Sequence, residues 1–96
     1  MDSSLLRLYQ AEWCPYSHAV RQRLTELDLP FIACQVPAEP EDRHELRRLA
    51  DTDEIPTLVL PDGRAISDTD RIIEYLDERY TEPSGADDHR QQAAAH

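Results

Sequence analysis

Leu5-Leu6-Arg7-Leu8-Tyr9-Gln10-Ala11-Glu12-Trp13-Cys14-Pro15-Tyr16-Ser17-His18-Ala19-Val20 is the stretch whose reading decides the fold. Leu5, Leu6 and Leu8 give Leu5 to Tyr9 the apolar character of a short strand. Gln10 to Trp13 carries no period and reads as a loop. From Pro15 to Leu27 the pattern turns helical, because Val20, Leu24 and Leu27 recur at spacings of four and three, one face of a helix. Pro15 suits the first turn, where its missing N–H costs nothing. Cys14 therefore falls where a strand and its loop end and a helix begins.

Working outward, Pro30 closes the connection to a second strand, Phe31 to Val36. Pro37 and Pro40 punctuate the next link, and Glu41 to Asp51 reads as a charged helix with Leu46, Leu49 and Ala50 inward. Pro56 introduces a third strand, Thr57 to Leu60. Asp62-Gly63 is a hairpin signal, so Arg64 to Ile66 should pair antiparallel with it. Ser67 or Asp68 can cap a last helix that turns Ile72, Ile73, Leu76 and Tyr80 inward. The order is β-α-β-α-β-β-α. The first βαβ unit must cross over right-handed and give parallel strands. An α/β fold follows, a four-stranded mixed sheet with helices on both faces. Residues 1–81 read as one domain, and 82–96, with Pro83-Ser84-Gly85 and an alanine-rich end, as a disordered tail.

The 96 residues suffice for one domain and a small core. No apolar run is long enough to cross a bilayer, and Met1 to Leu8 lacks a leader pattern, so a cytoplasmic location and no membrane partner are expected. Ten basic residues, all arginine, face 20 acidic ones, for a net charge of -10. Phosphates would be repelled, which argues against nucleic acid. Two cysteines, Cys14 and Cys34, are too few for a disulfide scaffold and are not spaced as zinc ligands.

Chemistry concentrates at Cys14. A helix N-terminus presents unpaired N–H groups and the positive end of the dipole, which favour thiolate over thiol. Such sites lower a cysteine pKa from about 8.5 by roughly one to several units, the requirement for thiol–disulfide exchange. A dithiol enzyme would place its second cysteine three residues on; this chain has Ser17. Exchange must then run on one cysteine, with an outside thiol resolving the intermediate, and Ser17 can donate a hydrogen bond to the sulfur.

Trp13-Cys14-Pro15-Tyr16-Ser17 resembles the active-site motif of glutaredoxins, with serine replacing the second cysteine. Ile55-Pro56-Thr57 resembles the cis-proline segment of the thioredoxin fold. Asp62-Gly63, with Ile66-Ser67-Asp68-Thr69 and Ile72-Ile73-Glu74-Tyr75-Leu76, is similar to the closing half of glutathione S-transferase N-terminal domains. The resemblance spans Leu5 to Tyr80. It implies a thioredoxin-like fold and a monothiol oxidoreductase that reduces mixed disulfides between proteins and glutathione or a related thiol such as γ-glutamylcysteine. Cys14 is the implied nucleophile, assisted by Ser17. Trp13, Pro15 and Tyr16 flank the bound thiol. Ile55, beside a cis Pro56, meets its cysteinyl part, and Asp68 and Thr69 meet its γ-glutamyl group. The family's usual lysine before the cysteine is absent: Gln10, Ala11 and Glu12 stand there, and Glu12 opposes a thiolate. Transferases of the family carry a second, all-helical domain for which the residues after Tyr80 leave no room, so a stand-alone transferase is not expected; a monomer is. An iron–sulfur carrier and a non-catalytic glutathione-binding module are the alternatives; Pro15 and Tyr16 stand where the cluster-binding subfamily usually has glycine and phenylalanine.

Other residues have plainer readings. Cys34 lies mid-strand and reads as a packed small hydrophobe. His18 reads as a solvated helix residue rather than one that tunes the thiolate, and Arg43, Arg47 and Arg48 as a solvated charged face rather than as contacts to a ligand carboxylate.

Overall fold

A computed structural model describes residues 5–96; residues 1–4, part of the segment read above for a leader, lie outside the described residues. The strands are β1 (Leu6–Gln10), β2 (Phe31–Gln35), β3 (Thr57–Val59) and β4 (Ala65–Ser67). The helices are α1 (Pro15–Glu26), α2 (His44–Ala50), α3 (Thr69–Arg79) and α4 (Ala86–Ala95), with a 3-10 turn at Pro40–Asp42. The sheet order is β2-β1-β3-β4. β1 pairs parallel with β2, and the β1–β3 and β3–β4 pairs are antiparallel. This is the thioredoxin-like α/β arrangement, a four-stranded mixed sheet covered on both faces.

Strand alternation divides the core in two. Leu6, Leu8, Leu58 and Leu60 pack with Val20 and Leu24 of α1, Leu27 at its C-cap, and Ile72 and Leu76 of α3. Their neighbours point the other way: Tyr9 and Val59 meet Leu46 of α2, with Val36, Leu49 and Ile55 at the margin. The Tyr9 hydroxyl donates to Glu45 Oε2 at 2.6 Å, and burial together with that bond pushes its pKa up. No helix among the described residues is long and apolar enough to cross a membrane.

The end of α1 is a Schellman closure. Leu29 N–H bonds the Leu24 carbonyl and Asp28 N–H that of Thr25, both at 3.0 Å, while Leu29 packs on the core containing Leu24. Asp28 occupies the left-handed position with φ 57°, normally glycine's, and sets a negative charge at the negative helix end. Asp28→Gly is therefore expected to stabilise the fold by about 0.5–1 kcal/mol, less than the full left-handed penalty because glycine also loosens the unfolded chain. An unchanged or lower urea midpoint would contradict it.

Two differences from the sequence reading have physical causes. The charged helix expected over Glu41 to Asp51 is split. Pro40 opens a 3-10 turn, and Arg43, with φ -86° and ψ 62°, breaks the run before α2 begins. Where a disordered tail over 82–96 was expected, the structure has α4 packed beside α1. Alanine-rich sequence favours helix, and Asp87 and Asp88 sit well at its positive end. The polar character that suggested disorder is used in a clasp. Arg23 binds Glu26 at 2.7 Å and Asp77 and Glu82 at 2.8 Å; Arg90 binds Glu82 at 2.9 Å and Glu26 at 3.3 Å and also pairs with Asp87. The two guanidiniums hold the Glu82 carboxyl down at about 2. These six charges come from α1, α3, the link after it and α4, and no periodicity reveals their pairing.

Candidate functional site

Cys14 is the N-cap of α1. Its backbone is extended (φ -87°, ψ 114°), and its Sγ accepts the Ser17 N–H at 3.3 Å. The helix thus uses a sulfur where an N-cap oxygen would ordinarily stand. Burial of the sulfur works against ionisation. Hydrogen bonding by the Ser17 hydroxyl and by the Ser17 and Tyr16 backbone, with the charge of Arg21, outweighs it and leaves the Cys14 pKa below its ordinary value.

Arg21 replaces the cation that the sequence lacks before Cys14. From the second turn of α1 it pairs with Glu12 at 3.3 Å and donates to the side chain of Gln10 and, at 3.5 Å, to the Ala11 carbonyl. Glu12 therefore does not act on the thiolate as a bare charge. Sequence reasoning looked for a cation before the cysteine; the fold brings one from behind it.

Ser17 is fully buried and does not line the groove in front of Cys14. It lies beneath the sulfur, and its Oγ accepts the Ala11 N–H at 3.4 Å, tying the loop to the helix.

The opposite wall is built by Thr57. Its buried hydroxyl donates to the Glu54 carbonyl at 2.8 Å, so the 2.9 Å contact with Ser67 must take its proton from the Ser67 hydroxyl. One side chain thereby fixes the Ile55–Pro56 segment, whose peptide bond is cis, to the end of β4. Asp68 follows at once with φ 81° and ψ 120°, outside the regions that L-residues favour, at a cost of about 1–3 kcal/mol. Its carboxylate caps α3 by accepting the Arg71 N–H at 3.2 Å. Backbone strain held in place by a cap is characteristic of a functional position.

These parts enclose a groove of about 630 Å³ lined by Trp13, Cys14, Pro15 and Tyr16 on one side and Ile55, Pro56, Asp68 and Thr69 on the other. Every site residue expected from the sequence except Ser17 meets there. Glu54 and Asp70, which sequence reasoning did not assign, also line it, as does Arg43, for which the sequence reading sets contact with a ligand carboxylate behind a solvated face. Arg43 corrects the reading of a solvated face. It is only 6 % exposed, and its guanidinium donates to the carbonyls of Pro37, Asp53 and Ala38 at 2.9, 2.9 and 3.0 Å. Two prolines and a broken helix around it were the available signal. Cys34 lies outside this groove, half-buried on edge strand β2, where burial pushes its thiol up.

A helix-capping, acidified cysteine facing a cis-proline segment and a strained helix start defines a thioredoxin-like thiol site. The chain belongs to the family described as glutathione S-transferase, N-terminal domain, whose model matches residues 13–79. No curated protein sequence matches it. Among solved structures it is similar to a diazinon-metabolizing glutathione S-transferase of the silkworm Bombyx mori (28% identity, 79% of this chain and 38% of that one, TM-score 0.70). It is similar to a glutathione S-transferase of Methylobacillus flagellatus with glutathione bound (32% identity, 77% and 36%, TM-score 0.66). A third is a glutathione transferase homologue of Drosophila mojavensis with bound glutathione (27% identity, 79% and 35%, TM-score 0.71). The chain spans little more than a third of the length of these proteins.

Proposed function

We propose that the chain binds glutathione in this groove and uses Cys14 for one-cysteine thiol–disulfide exchange. The observation that carries the reading is the stabilised Cys14 sulfur at the mouth of a groove whose far wall is Ile55–Pro56 and the start of α3. Two of the related transferases hold glutathione. Among the described residues, Arg43 is the one cation lining the groove, and its hydrogen-bond partners are neutral carbonyls, so its charge is available to an anionic ligand. Ile55 offers main-chain groups to the cysteinyl part of glutathione, Asp68 its carboxylate to the ligand ammonium, and the α3 N-terminus at Thr69 its N–H groups to the γ-glutamyl carboxylate.

The Cys14 thiolate attacks the glutathione sulfur of a protein mixed disulfide. A Cys14–glutathione disulfide forms, and the protein leaves as a thiolate that takes up a proton. A second glutathione thiolate attacks the glutathione sulfur of that intermediate, regenerating the Cys14 thiolate and releasing glutathione disulfide. Each turnover consumes one glutathione thiol and converts the protein's mixed disulfide into glutathione disulfide, so one disulfide is exchanged for another and the electrons balance. Conjugation chemistry would instead need the sulfur of bound glutathione to be the thiolate, and a Cys14 thiolate beside it would repel that charge.

Incubation with glutathione disulfide followed by mass spectrometry tests this. One glutathionyl adduct on Cys14, removed by excess glutathione, is expected. A folded protein that forms no adduct, or forms it only on Cys34, would exclude the exchange mechanism.

A further inference from the structure

Trp13 and Tyr16 are 65 % and 64 % exposed, the largest exposures among the big apolar side chains of the described residues, and they flank Cys14 in the chain. Large aromatic surfaces left in water mark places where something docks. Both rings line the groove, yet most of each stands in water. Around the rings the surface is acidic. Glu54, Asp68 and Asp70 line the groove and are exposed, and Glu12 lies beside Trp13 with 89% of its side chain in water. Of the cations nearby, Arg21 is held by Glu12 and Gln10, and Arg43 is buried, so neither presents positive charge on the surface around the rings.

From these aromatic faces ringed by carboxylates we infer that the groove mouth docks a positively charged polypeptide segment, the one that carries the glutathionylated cysteine. The occupant is a protein mixed disulfide with arginine or lysine next to its modified cysteine. The inference rests on the exchange reading above and adds the substrate class. Two physical effects point the same way. Arginine and lysine stack on Trp13 and Tyr16 while their charge meets Glu54 and Asp70. A cysteine flanked by cations is also the better substrate chemically, because neighbouring positive charge lowers the pKa of its thiol and so makes it a faster leaving group when Cys14 attacks.

The test uses two glutathionylated peptides of equal length, one with arginines and one with glutamates beside the cysteine. Trp13 is the chain's single tryptophan, so its fluorescence reports docking directly. Binding is measured on Cys14→Ser, which cannot turn over, and turnover on the unmodified protein. The arginine peptide is expected to bind and react about tenfold or more better at low salt, with the ratio falling toward one at high salt. In the Glu54→Gln, Asp70→Asn variant the ratio should collapse at low salt too. Equal binding of both peptides at low salt overturns the docking inference, whether or not they react. Preferential binding of the arginine peptide without turnover upholds the docking surface and overturns the exchange reading instead. A preference that survives both high salt and the double variant overturns the electrostatic basis.

Discussion

Cys14→Ser is expected to lower glutathione-dependent reduction of a mixed disulfide by about 10³-fold or more, with the melting temperature essentially unchanged. The two halves of this result have separate causes. A serine hydroxyl stays protonated at any pH the fold survives, and it cannot form the covalent intermediate with glutathione. As an N-cap, however, serine is at least as good as cysteine: its oxygen can accept the Ser17 N–H that Sγ now accepts at 3.3 Å. The variant therefore removes the nucleophile and keeps the helix start. A coupled assay with glutathione reductase measures the rate, and thermal unfolding the stability. Retention of a tenth or more of the activity would refute Cys14 as the nucleophile.

The same residue predicts a pH dependence. Alkylation of Cys14 should follow a thiolate titration whose midpoint lies below that of an ordinary cysteine. Burial of the sulfur opposes this, so the lowering rests on the hydrogen bonds of Ser17 and Tyr16 and the charge of Arg21. Ser17→Ala removes the hydroxyl while leaving its N–H, and should move the midpoint upward. The linkage sign follows from a folded pKa below the unfolded one, which is about 8.5. The thiolate contributes stability that is fully present above that unfolded value and is lost as pH falls through the folded value. The unmodified protein should thus gain stability over Cys14→Ser as pH rises through this window. A midpoint in Ser17→Ala at or below that of the unmodified protein would show that the hydroxyl does not hold the thiolate.

The readable parts of this protein are those where a local pattern and a tertiary role coincide. Val20, Leu24 and Leu27 are periodic because α1 has one buried face, and Cys14 is conspicuous because Pro15 marks the helix start. Asp62-Gly63 announces a hairpin because the turn itself requires such residues; Gly63 has φ 95°. Ile55–Pro56 and Asp68–Thr69 were legible only through resemblance, since nothing in their local pattern brings them opposite Cys14. The unread parts are charges whose partners are remote. Arg21 looks like one more helix-surface arginine until the loop carrying Glu12 folds back on it. Arg23 and Arg90 look solvated until α4 lies down beside α1 and traps Glu26 and Glu82 between them. In a chain with so many acidic residues, the sequence shows which side chains are charged but not which pairs form, and those pairings decide whether a segment is a tail or a helix.

Arg43 is where that gap carries the largest cost in stability. Arg43→Ala is expected to destabilise the protein by about 3 kcal/mol, a large share of the roughly 5–15 kcal/mol that holds a domain of this size together. One guanidinium satisfies three carbonyls, those of Pro37 and Ala38 before α2 and of Asp53 after it. Each bond to a charged donor contributes about 1.5–3 kcal/mol, and their sum overstates the loss because the freed carbonyls relax toward water. Arg43→Lys separates geometry from charge. An ammonium keeps the positive charge, but it is a compact donor and cannot reproduce a planar fork reaching carbonyls on two segments. It should therefore recover only a minor part of the stability, with urea unfolding as the measurement. A Lys variant within about 0.5 kcal/mol of the unmodified protein would show that charge alone matters. The effect should extend to the groove. The Asp53 carbonyl that Arg43 holds lies two residues before Ile55, so releasing it loosens the wall opposite Cys14. Both variants should bind glutathione more weakly under conditions where they remain folded. The Ala variant should be the weaker binder, because it loses the wall's anchor and the groove's cation together. Unimpaired glutathione binding by a folded Arg43→Ala would separate the stabilising role of this residue from the groove entirely.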